Sequence, residues 1–239
     1  MRIGLLAGIG VAVLLGVSAR AETLRLVTED VPPINTVSDK PGEAGGIATD
    51  LIAKALAESR VSFDVSVHSW TDAYAMALHG RDVCVYSTSR TDERETLFKW
   101  VGPIVRNRWA LFGRIDGPAL ASLDDARGHS IGGPYDGAPT RYLKGIGFAV
   151  DETTDFHTNL RRVEARQIDY AVSSLLTGAH AIAHDKELAD IVPVLVFKDI
   201  DLYLACNKSV SDKLVARLNG IFQRMTEDGT VAATLRHYQ

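Results

Sequence analysis

Residues 86–95 carry the densest set of side chains able to do chemistry: Tyr86-Ser87-Thr88-Ser89-Arg90-Thr91-Asp92-Glu93-Arg94-Glu95. They follow a short apolar strand pattern over residues 82–86, at the end of a strand where open α/β sheets bind ligands. Thr91 is placed to cap a short helix, with Asp92 and Glu93 in its first turn. The free backbone N–H groups of such a helix start suit an anion. Arg94, one turn in, offers a two-pronged grip on a carboxylate, and Ser87 and Ser89 add hydroxyl donors. The competing reading is that Arg94 only pairs with Glu93, Glu95 or another surface acid.

Two other patterns invite chemistry and do not sustain it. Gly128-His129-Ser130-Ile131-Gly132 matches the G-x-S-x-G nucleophile elbow. That motif needs a strand before it and a helix after it, and here the order is inverted. His180 and His184 are four apart on a helix, a spacing compatible with a shared metal, but no HExxH pattern surrounds them. They read as a solvated helix face.

The elements that must position these residues alternate. Residues 23–28, 61–67 and 82–86 are strand-like, the second with strict period-two alternation. Residues 47–59 and 70–78 are helical, the first from the spacing of Leu51, Ile52, Ala55 and Leu56. This β-α-β-α-β order predicts a mainly parallel sheet flanked by helices. A second block of the same kind follows. Strands are predicted at 109–113, 130–132, 168–172, 192–197 and 201–206. Helices are predicted at 122–127, from Pro139 to about 144, at 159–165 and at 175–184. Ser209-Val210-Ser211-Asp212 begins a long C-terminal helix to about 227, and a last short helix follows Asp228-Gly229. The blocks meet near 107–115 and 199–206, in strand-like rather than loop-like sequence. Two lobes joined by two extended crossings make a hinge, and the crevice between them is a natural ligand site.

The N-terminus has one positive charge at Arg2, an apolar run from Ile3 to Val17, and small residues at Ala19 and Ala21. It reads as a secretory signal over residues 1–21 with cleavage after Ala21. The chain has 239 residues and a formal net charge of −4, which argues against a nucleic-acid partner. Removing the leader takes away Arg2 and Arg20 and no acid, so the mature chain is more acidic still. Its two cysteines, Cys84 and Cys206, are too few for a disulfide scaffold or a zinc ribbon. Export permits them to pair. Both lie inside apolar runs, and buried free thiols are the expectation.

At this point a resemblance becomes specific. The chain resembles periplasmic solute-binding proteins of ABC transporters, the polar amino-acid-binding family known as bacterial extracellular solute-binding protein family 3. The residues that carry it are Thr28-Glu29-Asp30-Val31-Pro32-Pro33, Gly46-Ile47-Ala48-Thr49-Asp50-Leu51, Trp70, and the run from Arg90 to Pro103 with its Lys99-Trp100-Val101-Gly102-Pro103 ending. They span nearly all of the mature chain.

The resemblance implies a two-lobed, hinged α/β fold of the Venus flytrap type. It places lobe 1 at 22–108 and 204–239 and lobe 2 at 109–203. It implies that Arg94 binds a ligand α-carboxylate, with Ser87 and Ser89 contacting the ligand from the same lobe. Trp70 either packs on the ligand or is a core tryptophan. The loop Pro134-Tyr135-Asp136-Gly137-Ala138-Pro139 matches a second-lobe turn that completes the carboxylate site, presenting a helix start to the anion. Its plainer reading is a strand-to-helix turn.

One departure stands out. The family places a carboxylate for the ligand ammonium a few residues beyond a motif like Gln167-Ile168-Asp169, and here Ser173-Ser174 stands there. Either Glu29, Asp30 or Asp136 supplies the charge, or the ligand is not an α-amino acid. The expected function is capture of a small carboxylate-bearing, amino-acid-like solute in the periplasm for an ABC permease. The chain is expected to act as a monomer, without cofactor, metal or catalytic residue. The alternatives are a cyclohexadienyl dehydratase on the same scaffold, with Glu29, Asp136 or Glu93 as its acid, and a periplasmic sensor or accessory binding protein.

Overall fold

The computed structural model describes residues 23–38 and 44–238. The predicted leader lies outside the described residues. In chain order the elements are β1 (Thr23–Thr28), β2 (Thr36–Val37), β3 (Ala44–Gly45), α1 (Ile47–Ser59), β4 (Ser62–Val67), α2 (Trp70–His79), β5 (Val83–Ser89), α3 (Asp92–Glu95) and β6 (Lys99–Arg114). A 3-10 turn at Leu123–Ala126 follows. Then come β7 (Ile131–Pro134), α4 (Ala138–Gly145), β8 (Asp151–Thr153), α5 (Phe156–Glu164), β9 (Tyr170–Ser174), α6 (Leu175–His184), β10 (Ile191–Cys206), α7 (Asp212–Glu227) and α8 (Thr230–His237).

The main sheet has strand order β4-β1-β5-β10-β6-β9-β7-β8. The flanking groups β4-β1-β5 and β8-β7-β9 are parallel. The two long strands between them, β6 and β10, pair antiparallel from Ile191↔Arg114 to Cys206↔Lys99. They run through both halves, so the molecule is two α/β lobes on one pair of shared strands.

Period-two alternation decides which helix each strand residue meets. Leu24 and Leu26 pack with Leu51, Ile52 and Leu56 of α1 and with Leu218 and Phe222 of α7. Val27, one residue out of phase, joins Ala73 and Ala77 of α2 on the opposite face. The second half repeats the pattern: Ala110 and Phe112 face Leu160, Val163 and Ala181, while Leu111 faces Leu143 and Phe148. Each half is thereby covered on both faces. Among the described residues no helix is long and apolar enough to cross a membrane.

The helices predicted at 47–59 and 175–184 stand at those bounds. Ser211 caps α7, accepting from the backbone N–H of Leu214. Three expectations are corrected. The short strand predicted at 109–113 is one end of the 16-residue β6. The strands predicted at 192–197 and 201–206 are one strand, β10. Pro103 lies inside β6, and Pro193 and the polar Lys198-Asp199 lie inside β10, without ending either strand. The β6–β10 ladder instead absorbs irregularities as register shifts, at Pro193/Leu195, Val196/Lys198 and Leu202/Leu204.

Third, Cys84 and Cys206 are not free thiols: they form a disulfide. The two residues sit opposite each other in the β5–β10 register, so burial and pairing go together.

Candidate functional site

A cavity of about 150 Å³ lies between the lobes. Its lining comes from the C-terminal ends of the parallel strands and the turns that follow them. Glu29 and Asn35 follow β1, Ser87 and Ser89 end β5, Pro134, Tyr135, Gly137 and Ala138 link β7 to α4, and Ser173 and Ser174 end β9. Asn107 and Trp109 come from β6, and Trp70 and Phe156 open α2 and α5. Strand ends in a sheet of this kind point their free backbone groups and following turns into one crevice, which is why residues so far apart in the chain converge.

Arg94 is the centre of the site. It is 3% exposed, and its Nη1 donates to the Ser89 carbonyl at 3.3 Å. Its guanidinium lies 5.2 Å from the Trp70 ring and 5.1 Å from the Tyr74 ring. Burial lowers its pKa, with Tyr74 opposing. Such a group stays cationic. The acids that competed for it in the sequence are taken by other arginines. Glu95 accepts from Arg90 Nε and Nη2 at 2.7 and 2.5 Å, and Glu93 accepts from Arg141 at 2.6 Å. Among the described residues no carboxylate lies within ion-pair distance of Arg94.

Of the residues singled out in the sequence, Glu29, Trp70, Ser87, Ser89, Arg94, Gly137, Ala138 and Ser174 line the cavity. Trp70 lines the cavity and is partly buried against the core beneath it, packing against Tyr74 at 5.5 Å. Asp136 does not line it. Its Oδ1 accepts from Arg141 Nη1 at 3.2 Å, and the turn that holds it has a left-handed φ of 53°. Asp30 is also occupied elsewhere, accepting from the Val37 backbone N–H at 3.0 Å.

The expected helix start at Thr91 is reduced to a single turn, α3, and the Thr91 side chain makes no capping bond. On this side the cation comes from Arg94 alone. At α4 the N-cap is Gly137, with no side-chain cap, and Pro139 has no N–H, so Ala138 and Thr140 supply the N–H groups of its first turn.

Glu29 is the one carboxyl among the described lining residues. Burial pushes its pKa up to about 7, with Arg94 opposing and Asp30 adding to the rise. Asn35 and Asn107 carried no motif and were missed. Asn107 had a readable signal: it alternates with Val105 and Trp109, all three buried, which marks an inward-facing polar residue in a strand. Asn35, 1% exposed, accepts from Ser87 Oγ at 2.5 Å. Ser87 itself has a φ of 60°, so the end of β5 is turned toward this contact.

The decoys resolve as structure. Ser130 Oγ and N both donate to Asp169 Oδ2, at 2.7 and 2.8 Å, which staples β7 to the start of β9. His184 Nδ1 donates to the His180 carbonyl at 2.8 Å on the surface of α6.

A buried, uncompensated guanidinium and a helix start facing one crevice between two lobes define a solute-binding protein of the two-lobed periplasmic type. The chain belongs to the bacterial extracellular solute-binding proteins, family 3, whose pattern matches residues 24–239. None of the curated proteins is similar in sequence. Among solved structures it is similar to a histidine kinase sensor domain with similarity to periplasmic binding proteins, at 22% identity and TM-score 0.81, covering 92% of this chain and 96% of that one. It is also similar to an ancestral arginine-binding protein bound to arginine, at 19% identity and TM-score 0.76, covering 91% and 98%. The amino acid ABC transporter substrate-binding protein AbpA from Streptococcus pneumoniae, bound to L-arginine, is similar at 17% identity and TM-score 0.77, covering 91% and 94%. At these identities the likeness is one of fold.

Proposed function

We propose that this protein is a periplasmic binding protein that captures a small carboxylate-bearing solute and delivers it to the permease of an ABC importer. The observation that carries this reading is Arg94: a buried cation without an ion-pair partner among the described residues, lining a cavity between two lobes. An unpaired buried charge is costly, and an anionic ligand relieves that cost. The division is lobe 1 at 22–108 and 204–239 and lobe 2 at 109–203, with β6 and β10 as the hinge. Ligand binding selects the closed arrangement through contacts only that arrangement makes. The mature chain, cleaved after Ala21, acts as a monomer and needs no cofactor.

A thermal-shift screen of the mature protein against amino acids, small organic acids and polyamines tests this reading, since a ligand of the folded state raises its melting temperature. Carboxylates are expected to respond. In calorimetry Arg94→Ala should weaken the best of them by about 2–5 kcal/mol, at least about thirtyfold. A response confined to polyamines, or an affinity indifferent to Arg94→Ala, would sink it.

A second reading is favoured by Glu29. A carboxyl that titrates near 7 beside a carboxylate grip is suited to general acid chemistry, as a cyclohexadienyl dehydratase on this scaffold requires. Turnover of prephenate or arogenate by purified protein, lost in Glu29→Gln, would favour it over binding alone.

A further inference from the structure

We propose that the solute is a small hydroxy- or oxo-carboxylic acid without an α-ammonium group, and that Asn35, Asn107 and Thr177 read its additional oxygen. This rests on the carboxylate reading of Arg94 and revises the amino-acid-like expectation.

The case begins with what the lining can still offer a ligand. Asn35 Oδ1 is taken by the Ser87 hydroxyl, and its Nδ2, on a residue 1% exposed, has no partner. Asn107 Oδ1 accepts from the Arg108 backbone N–H at 2.8 Å and from Ser174 Oγ at 2.7 Å. A backbone N–H is only ever a donor, so this pairing fixes the amide's orientation. Asn107 is left with its Nδ2 donor to offer.

The same bond commits the Ser174 proton, and the Ser174 oxygen accepts from the Thr177 backbone N–H at 3.4 Å. Thr177, 8% exposed, lines the cavity with a buried Oγ1 that has no partner. Buried donors are almost always paired in folded proteins, and both of these unpaired atoms belong to residues that line the cavity.

Beyond Arg94, then, the site offers amide N–H donors from Asn35 and Asn107 and hydroxyls that donate or accept. Donors recognise oxygen acceptors. An α-ammonium brings three N–H donors and a charge, and needs carboxylate or carbonyl acceptors around it. Where relatives' pattern calls for an acid, Ser174 is already engaged on both sides. Glu29, the one carboxyl among the described lining residues, lies in the field of Arg94 on the same lobe. A hydroxyl or carbonyl oxygen beside the carboxylate fits this set of groups without an uncompensated charge.

Calorimetry on ligand-free mature protein with pairs that share a skeleton tests the inference: lactate against alanine, malate against aspartate, 3-phenyllactate against phenylalanine. In the pair that binds best, the oxyacid should bind at least tenfold tighter than its amino counterpart. Ser174→Asp keeps an N-cap acceptor for α6 and supplies the missing charge, so it should narrow or reverse that preference. Thr177→Val should weaken lactate while leaving propionate unchanged. An amino acid that binds as tightly as its oxyacid overturns the inference. If that binding is lost in Arg94→Ala, the carboxylate reading survives. If it is indifferent to Arg94→Ala, or if no compound of any pair binds, both readings fall.

Discussion

Arg141 on α4 donates from Nη2 to Glu93 Oε2 on α3 at 2.6 Å, joining the two lobes beside the cleft. Its Nη1 holds Asp136 at 3.2 Å, so one guanidinium ties both the lobe contact and the turn before α4. Leu176 at the start of α6 adds an apolar contact to the core of the first lobe.

The Glu93–Arg141 pair should act as a weak latch. Its side chains are 66% and 42% exposed, and exposed pairs contribute about 0.2–1 kcal/mol. Glu93→Gln should weaken ligand affinity by no more than about fivefold, and the difference should vanish at high salt. Calorimetry of both proteins at low and high ionic strength checks this. A loss far larger than fivefold would mean Glu93 touches the ligand itself.

Glu29 should make the ligand-free protein less stable as the pH rises. Its carboxyl is raised from 4.5 to about 7. Below 4.5 it is protonated in both folded and unfolded chains and costs nothing. Between 4.5 and 7 the unfolded chain ionises while the folded one keeps its proton, and stability falls steadily. Above 7 the full cost is in place, on the order of 3 kcal/mol. Urea denaturation of wild type and Glu29→Gln should therefore agree at acid pH and diverge, with the variant more stable, above neutrality. Parallel pH profiles would place the Glu29 carboxyl in water.

The Cys84–Cys206 bond should hold the return of β10 into the first lobe. It spans 122 residues, a loop that contains the whole second lobe. The double Cys→Ala variant should lose about 2–5 kcal/mol of stability in chemical denaturation. Ligand affinity should change little, because neither cysteine lines the cavity.

Gly178 should tolerate no side chain. A Cβ built there would sit 2.0 Å from Cζ of the buried Phe112 ring. Alanine normally helps a helix interior by about 0.5–1 kcal/mol, but here overpacking should win and cost about 1–3 kcal/mol. Gly145→Ala, where a Cβ would meet nothing within 4 Å, is the control and should be neutral or mildly stabilising. Equal melting temperatures for the two variants would contradict the packing of α6 on β6.

Much of this protein was readable along the chain because local periodicity and capping are local physics. The apolar spacing of Leu51, Ile52, Ala55 and Leu56 marks α1. The position of Arg94 just past a strand end, with Ser87 and Ser89 beside it, was readable from the residues, while Trp70 and Gly137 came from the family resemblance, and all five line the cavity. What the tertiary structure decided were partnerships between residues distant in sequence. Register across β5 and β10 turns two apparent thiols into a disulfide. Two other arginines, Arg90 and Arg141, draw off the acids beside Arg94 and leave it without an ion-pair partner among the described residues. Arg141 turns Asp136 away from the cavity, while the sheet carries Asn107 inward to meet Ser174. A side chain's type and its near neighbours are written in the sequence. Which of many compatible partners it pairs with depends on how the strands are aligned and the lobes are packed, and only the folded chain settles that competition.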